Sequence, residues 1–142
     1  MYLYDVNLLF AMLTPDHEFH RAARRWRIEA SGKDWATCEI TVSGFVRLSC
    51  NPALGFDSRL PSEAWDVLQA NRRSPHHSFL TLIPKSDGLL EEILGHCRGH
   101  RQVTDALLLA IAMENGARLA TFDSRIRHLS PDSDAVVQVP VI

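Results

Sequence analysis

Short apolar runs alternate with helix-patterned segments along the whole chain, and that alternation leaves few ways for it to fold. Residues 2–6, 34–40, 77–83, 117–122 and 136–141 read as strands, being short, apolar and bounded by turn residues. Between them lie stretches with helical spacing: about Asn7 to Leu13, His17 to Ala30, Thr41 to the residues before Asn51-Pro52, Pro61 to Arg73, Asp87 to Cys97, and Asp105 to Asn115. Asp16, Thr41 and Thr104 are the expected N-caps, Ser31-Gly32-Lys33 a turn, and Gly116 the stop of the last long helix. A short helix is expected after Asp123. Strands joined by helices cannot pair as hairpins, so they must lie parallel with helices on both faces. The fold class is therefore α/β, a three-layer α/β/α arrangement with a central, mainly parallel sheet, in a single domain over 1–142.

That architecture gives three aspartates an address. Asp5 and Asp123 fall at the carboxyl ends of expected strands, and Asp105 falls in the first turn of a helix. Open parallel sheets bind ligands beyond the carboxyl ends of their strands. A helix start, with its free amides and positive dipole end, favours an acid. Three carboxylates on one rim are hard oxygen donors of the kind that Mg²⁺ or Mn²⁺ takes. Such an ion activates water and neutralises charge on a phosphate. Asp105 also reads as an ordinary helix-start residue and Asp123 as a turn residue. Asp5 is harder to explain structurally, because a carboxylate among Leu3, Val6, Leu8 and Leu9 is costly unless paired or metal-bound.

Other chemistry finds less support. Cys38, Cys50 and Cys97 are odd in number and without CxxC spacing, which supports neither a disulfide framework nor a zinc site and fits reduced thiols. His17 and His20 are three apart, one short of the HExxH spacing, and no Gly-rich phosphate loop is present. Ser43-Gly44 lacks the first glycine of a nucleophile elbow. A phosphatase of the D-x-D type would need a second aspartate where Asn7 stands. The net charge of -2 does not mark the whole molecule as a nucleic-acid binder, although its basic residues are arginines apart from Lys33 and Lys85. Neither a secretory signal nor a long apolar span is evident, so the expectation is a cytoplasmic protein with no membrane association.

The segments around the acids carry a further signal. Asp5-Val6-Asn7-Leu8-Leu9 resembles the opening motif of PIN-domain ribonucleases. Val103-Thr104-Asp105-Ala106-Leu107-Leu108-Leu109-Ala110 and Leu119-Ala120-Thr121-Phe122-Asp123 resemble that family's third and fourth acidic motifs. Thr41 to Leu48 and Gly99-His100-Arg101-Gln102 are similar to the VapC toxin branch. The resemblance implies a PIN-like domain and a Mg²⁺- or Mn²⁺-dependent endoribonuclease acting on RNA, the toxin of a type II toxin–antitoxin system. It also implies a homodimer and a cognate VapB-type antitoxin. Asp5 and Asp105 would be the metal ligands, Asp123 would complete the catalytic cluster, and Asn7 and Thr121 would orient it by hydrogen bonds. The family's second acid lies in the first turn of the helix after the second strand. Gly44 aligns there; Glu39, the nearest acid, either reaches in from the strand end as the substitute or is an ordinary exposed strand-end glutamate. Loss of that acid leaves a second reading, a catalytically weakened PIN-fold module acting mainly by binding antitoxin or RNA.

Overall fold

The computed structural model of the chain describes residues 1–30, 32, 34–82 and 87–141. Five strands form one sheet: β1 (Tyr2–Tyr4), β2 (Trp35–Thr37), β3 (His77–Phe79), β4 (Arg118–Thr121) and β5 (Val136–Gln138). All four pairings are parallel, in the order β3-β2-β1-β4-β5. Among the described residues the helices are α1 (Val6–Leu13), α2 (His20–Glu29), α3 (Glu39–Ser49), α4 (Pro61–Arg72), α5 (Asp87–Gly95) and α6 (Val103–Glu114), with short 3-10 turns between.

Alternation along the strands builds the two cores. Leu3, Ala36, Leu119 and Val136 face α5 and α6, while Tyr4, Trp35 and Ala120 face α1 to α4. The three-layer expectation holds. The chain leaves β1 for β2 on one side and reaches β4, on the other side of β1, only after α5 and α6. The switch in direction therefore lies between β1 and β4, at whose carboxyl ends Asp5 and Asp123 stand. No helix among the described residues is long and apolar enough to cross a membrane. The three cysteines are free thiols.

Several boundaries differ from the sequence expectation. The strands are shorter; after β1 and β2 the chain already starts helices, Val6 opening α1 and Glu39 opening α3. Glu39 is thus not a strand-end residue. Thr41 is not the N-cap of α3 either; Cys38 is, and the Thr41 hydroxyl accepts the Cys38 N–H at 2.9 Å from inside the first turn. Asp16 caps no helix. Residues 14–19 fold as turns and α2 starts at His20, since the His17 ring leaves the helical path to stack on Phe56 and meet Phe10 edge-on. Gln102, not Thr104, precedes α6, so Asp105 is its third residue. Gly116 does end that segment, in a left-handed conformation with φ 67°. The expected turn at Ser31-Gly32-Lys33 and the expected strand end at Ile83 lie partly outside the described residues.

The packing of α1 on α3 fixes the width of the cleft between them. At Gly44 a Cβ would stand 2.6 Å from both Cγ atoms of Val6. A β-branched valine at the start of a helix cannot swing away from such a contact. Gly44→Ala should therefore lower the melting temperature, overpacking of about 1–3 kcal/mol outweighing the helix-propensity gain of up to about 1 kcal/mol. Adding Val6→Ala should recover the loss; thermal melts of the two proteins check this.

Candidate active site

Asp5 is 5% exposed at the junction of β1 and α1. Its backbone N–H bonds the Ala120 carbonyl at 3.0 Å, tying the end of β1 to β4. One carboxylate oxygen, Oδ1, accepts the Asn7 N–H at 2.7 Å, which makes Asp5 the N-cap of α1. The other, Oδ2, accepts the Thr121 hydroxyl at 2.5 Å. Thr121 is fully buried, and its hydroxyl oxygen accepts in turn the Asp123 N–H at 3.0 Å. A single side chain thus links the first acidic position to the last.

Asn7 itself is exposed, and the bond it gives Asp5 comes from its backbone; its side chain lines the cleft. Asp105 is half-buried on the first turn of α6. Asp123 caps the 3-10 turn Ser124–Leu129 through the Arg125 N–H and is held by the Arg125 guanidinium at 2.9 and 2.7 Å. Glu39, exposed, lines the same cleft from the start of α3. The cleft has a volume of about 1030 Å³ and brings Asp5, Asn7, Glu39, Asp105 and Asp123 together; Thr121 supports them from beneath.

The electrostatics follow from this crowding. Burial raises the Asp5 carboxyl above its ordinary value against the pull of the Thr121 and Asn7 hydrogen bonds, and the Asp123 charge adds to the rise. Asp105 is pushed up to about 6, first by burial and then by the Asp5 and Asp123 charges. Asp123 moves the other way, its carboxylate stabilised by hydrogen bonds from Arg125. Oxygen-only donors that repel one another are the donor set of a hard divalent cation. Among the described residues no three acid, histidine or cysteine groups stand at metal-holding distances, and Asp123 is turned to Arg125 instead. The carboxylates keep lone pairs beyond those engaged here, so their chemistry fits such an ion.

Three residues at or beside the cleft were not singled out from the sequence. Arg47 on α3 and Asn51 just after it line the cleft, and Arg125, beside it, closes on Asp123. The signal for Arg125 lay in the chain: an arginine two residues after an acid can fold back over it. Arg47 gave no such signal, because the helical stripe it shares with Glu39 and Ser43 emerges only when α3 starts at Glu39.

Comparison with known proteins bears on the family and the fold. The PIN domain profile matches residues 2–130. Ribonuclease VapC39 of Mycobacterium tuberculosis is 38% identical over 128 residues, 87% of this chain and 89% of that protein. Ribonuclease VapC29 of the same organism is 35% identical over 138 residues, covering 97% and 96%. Among solved structures, VapBC2 from Rickettsia felis, bound to a DNA fragment from its promoter, superposes with a TM-score of 0.65 at 12% identity, covering 96% of this chain and 97% of that one. Mycobacterium tuberculosis VapC20, a sarcin-ricin loop cleaving toxin, superposes with a TM-score of 0.61 at 16% identity, covering 89% and 92%. At those identities the structures establish likeness of fold.

The raised carboxyls carry a stability signature. A folded state that holds a proton more tightly than the unfolded chain loses stability as pH rises through the gap, for Asp105 between 3.8 and about 6. Asp105→Asn should therefore raise the melting temperature at pH 7 in EDTA by on the order of a few degrees, with the gain vanishing towards pH 4. Asp123, whose carboxyl is lowered, should show no such gain when changed to Asn. Thermal melts across pH 4–8 test both signs.

Proposed function

The chain belongs to the PIN-domain family, among the VapC ribonucleases, and from that membership we propose that it is a metal-dependent endoribonuclease, the toxin of a toxin–antitoxin pair. The observation that carries the reading is the meeting of Asp5, Asp105 and Asp123 at the switch point of the sheet, in one open cleft. The names of its relatives point the activity at RNA, and the likeness to VapBC2 supports a VapB-type antitoxin as partner. A homodimer in a cytoplasmic setting completes the proposal.

Asp5 and Asp105 would hold Mg²⁺ or Mn²⁺, with Asp123 and Glu39 completing the acidic ring. When bound, the ion would supply an acidified water and neutralise charge on the phosphate. The chain's own residues do the rest. Thr121 and the Asn7 amide fix the Asp5 carboxylate so that it cannot turn away. Arg125 holds Asp123 until a competing charge arrives. Hydrolysis at this cleft would exchange the phosphorus–O3′ bond for a bond to water oxygen, with one water proton passing to O3′ and the other to solvent, giving a 5′-phosphate and a 3′-hydroxyl.

Glu39 takes the part of the second acid. It occupies the first turn of the helix after β2, the position the family pattern requires, whereas the Val6 contact leaves no space for a side chain at Gly44. One observation favours the reading of a weakened module that mainly binds antitoxin or RNA: Asp123 is already engaged by Arg125.

Asp5→Asn should reduce Mg²⁺-dependent cleavage of single-stranded RNA by about a hundredfold or more and relieve growth arrest on expression; undiminished cleavage would remove the assignment. Glu39→Gln should lower the rate at saturating RNA, and a rate equal to that of the parent would dismiss Glu39 as the substitute acid. Calorimetry with Mn²⁺ separates the two readings, since failure to bind at millimolar metal favours the module.

A further inference from the structure

We propose that the RNA strand lies across the carboxylates from Arg47 to Arg101, and that these two arginines are positioning residues gripping phosphates outside the scissile linkage. The proposal rests on the nuclease reading above. A chain of net charge -2 whose cleft is lined with acids repels a polyanion, so binding must come from a few well-placed cations.

Arg47 is such a cation. Glu39, Ser43 and Arg47 recur every four residues on α3, so they share one stripe, and all three line the cleft. The eight-residue separation puts Arg47 roughly 12 Å along the helix axis from Glu39. It is exposed and takes part in neither of the ion pairs found among the described residues, His76–Asp34 and Arg125–Asp123. The Arg47 guanidinium thus lines the acidic cleft outside both of those ion pairs.

A smaller hollow of about 190 Å³ adjoins the cleft, and the two share Asp105, Asp123 and Ile126. Arg101, in the 3-10 turn His100–Gln102 just before α6, lines this second hollow, is exposed, and likewise forms no ion pair among the described residues. Arg125 borders the same hollow but is committed to Asp123. The carboxylates therefore lie where two hollows meet, each with one uncommitted guanidinium. A planar fork of N–H donors matches a phosphate better than a point charge. A strand held at both ends would present an internal phosphodiester to the acids, which is the geometry an endonuclease needs.

The test uses the full chain carrying Asp5→Asn, which leaves bound RNA uncut, with Arg47→Ala, Arg101→Ala or both. Arg25→Ala, exposed on α2 and lining neither hollow, is the control for lost charge. Anisotropy of a labelled single-stranded RNA in Mg²⁺ is titrated at several salt concentrations. Each arginine variant should weaken binding on the order of tenfold and reduce the slope of log K against log salt by about one. Together they should remove about two, as independent contacts do. Arg25→Ala should leave the slope unchanged. With Asp5 restored, each should raise KM with kcat little altered, and Arg47→Lys should recover part of the affinity and slope. Loss of cleavage with an unchanged slope would mark a structural role and overturn the proposal. An effect at only one of the two arginines would overturn the two-point track while the nuclease stands. No RNA binding by either the parent chain or the Asp5→Asn chain would remove both readings.

Discussion

The hydrogen bond from the buried Thr121 hydroxyl to the Asp5 carboxylate joins three things at once. It spans the two strands between which the sheet changes direction, it holds a charge that burial disfavours, and it sets the direction in which that charge faces. The Asn7 amide secures the other oxygen, so the cap of α1 and the anchor of the acidic cluster are one carboxylate. A helix cap is ordinarily worth about 1 kcal/mol. Here it also orders the first acid of the site, and the site inherits the rigidity of two interior strands.

Crowding supplies the second constraint. Asp105 lies close enough to Asp5 and Asp123 for their charges to add to the effect of burial, while Asp123 escapes by pairing with Arg125. The three acids therefore sit in different protonation environments although they line one cleft. On the other wall, Gly44 lets α1 and α3 approach until Val6 fills the space a side chain would use. That close approach narrows the cleft, which Glu39 on the first turn of α3 also lines.

Much of this was legible in the chain. The βα alternation gave the layers, and the motifs around Asp5, Asp105 and Asp123 gave their order and their rim. What went astray were element starts: α2 begins three residues late because the His17 ring stacks on Phe56, and α3 begins at Glu39 because Thr41 serves the first turn from within. The second error hid the stripe of Glu39, Ser43 and Arg47. Each depended on a partner distant in sequence or on a reciprocal cap, neither of which periodicity can register.

By itself the sequence determined the fold class, the acidic residues and the elements that carry them, since apolar period and cap chemistry are local properties. Only the tertiary structure decided how the acids are held. Thr121 meets Asp5 across 116 residues, and Gly44 meets Val6 across the α1–α3 contact. Such contacts arise when strands take neighbouring places in a sheet and helices dock on it. The surroundings of the acids, with Arg47 in the cleft and Arg125 closed on Asp123 beside it, follow from that docking.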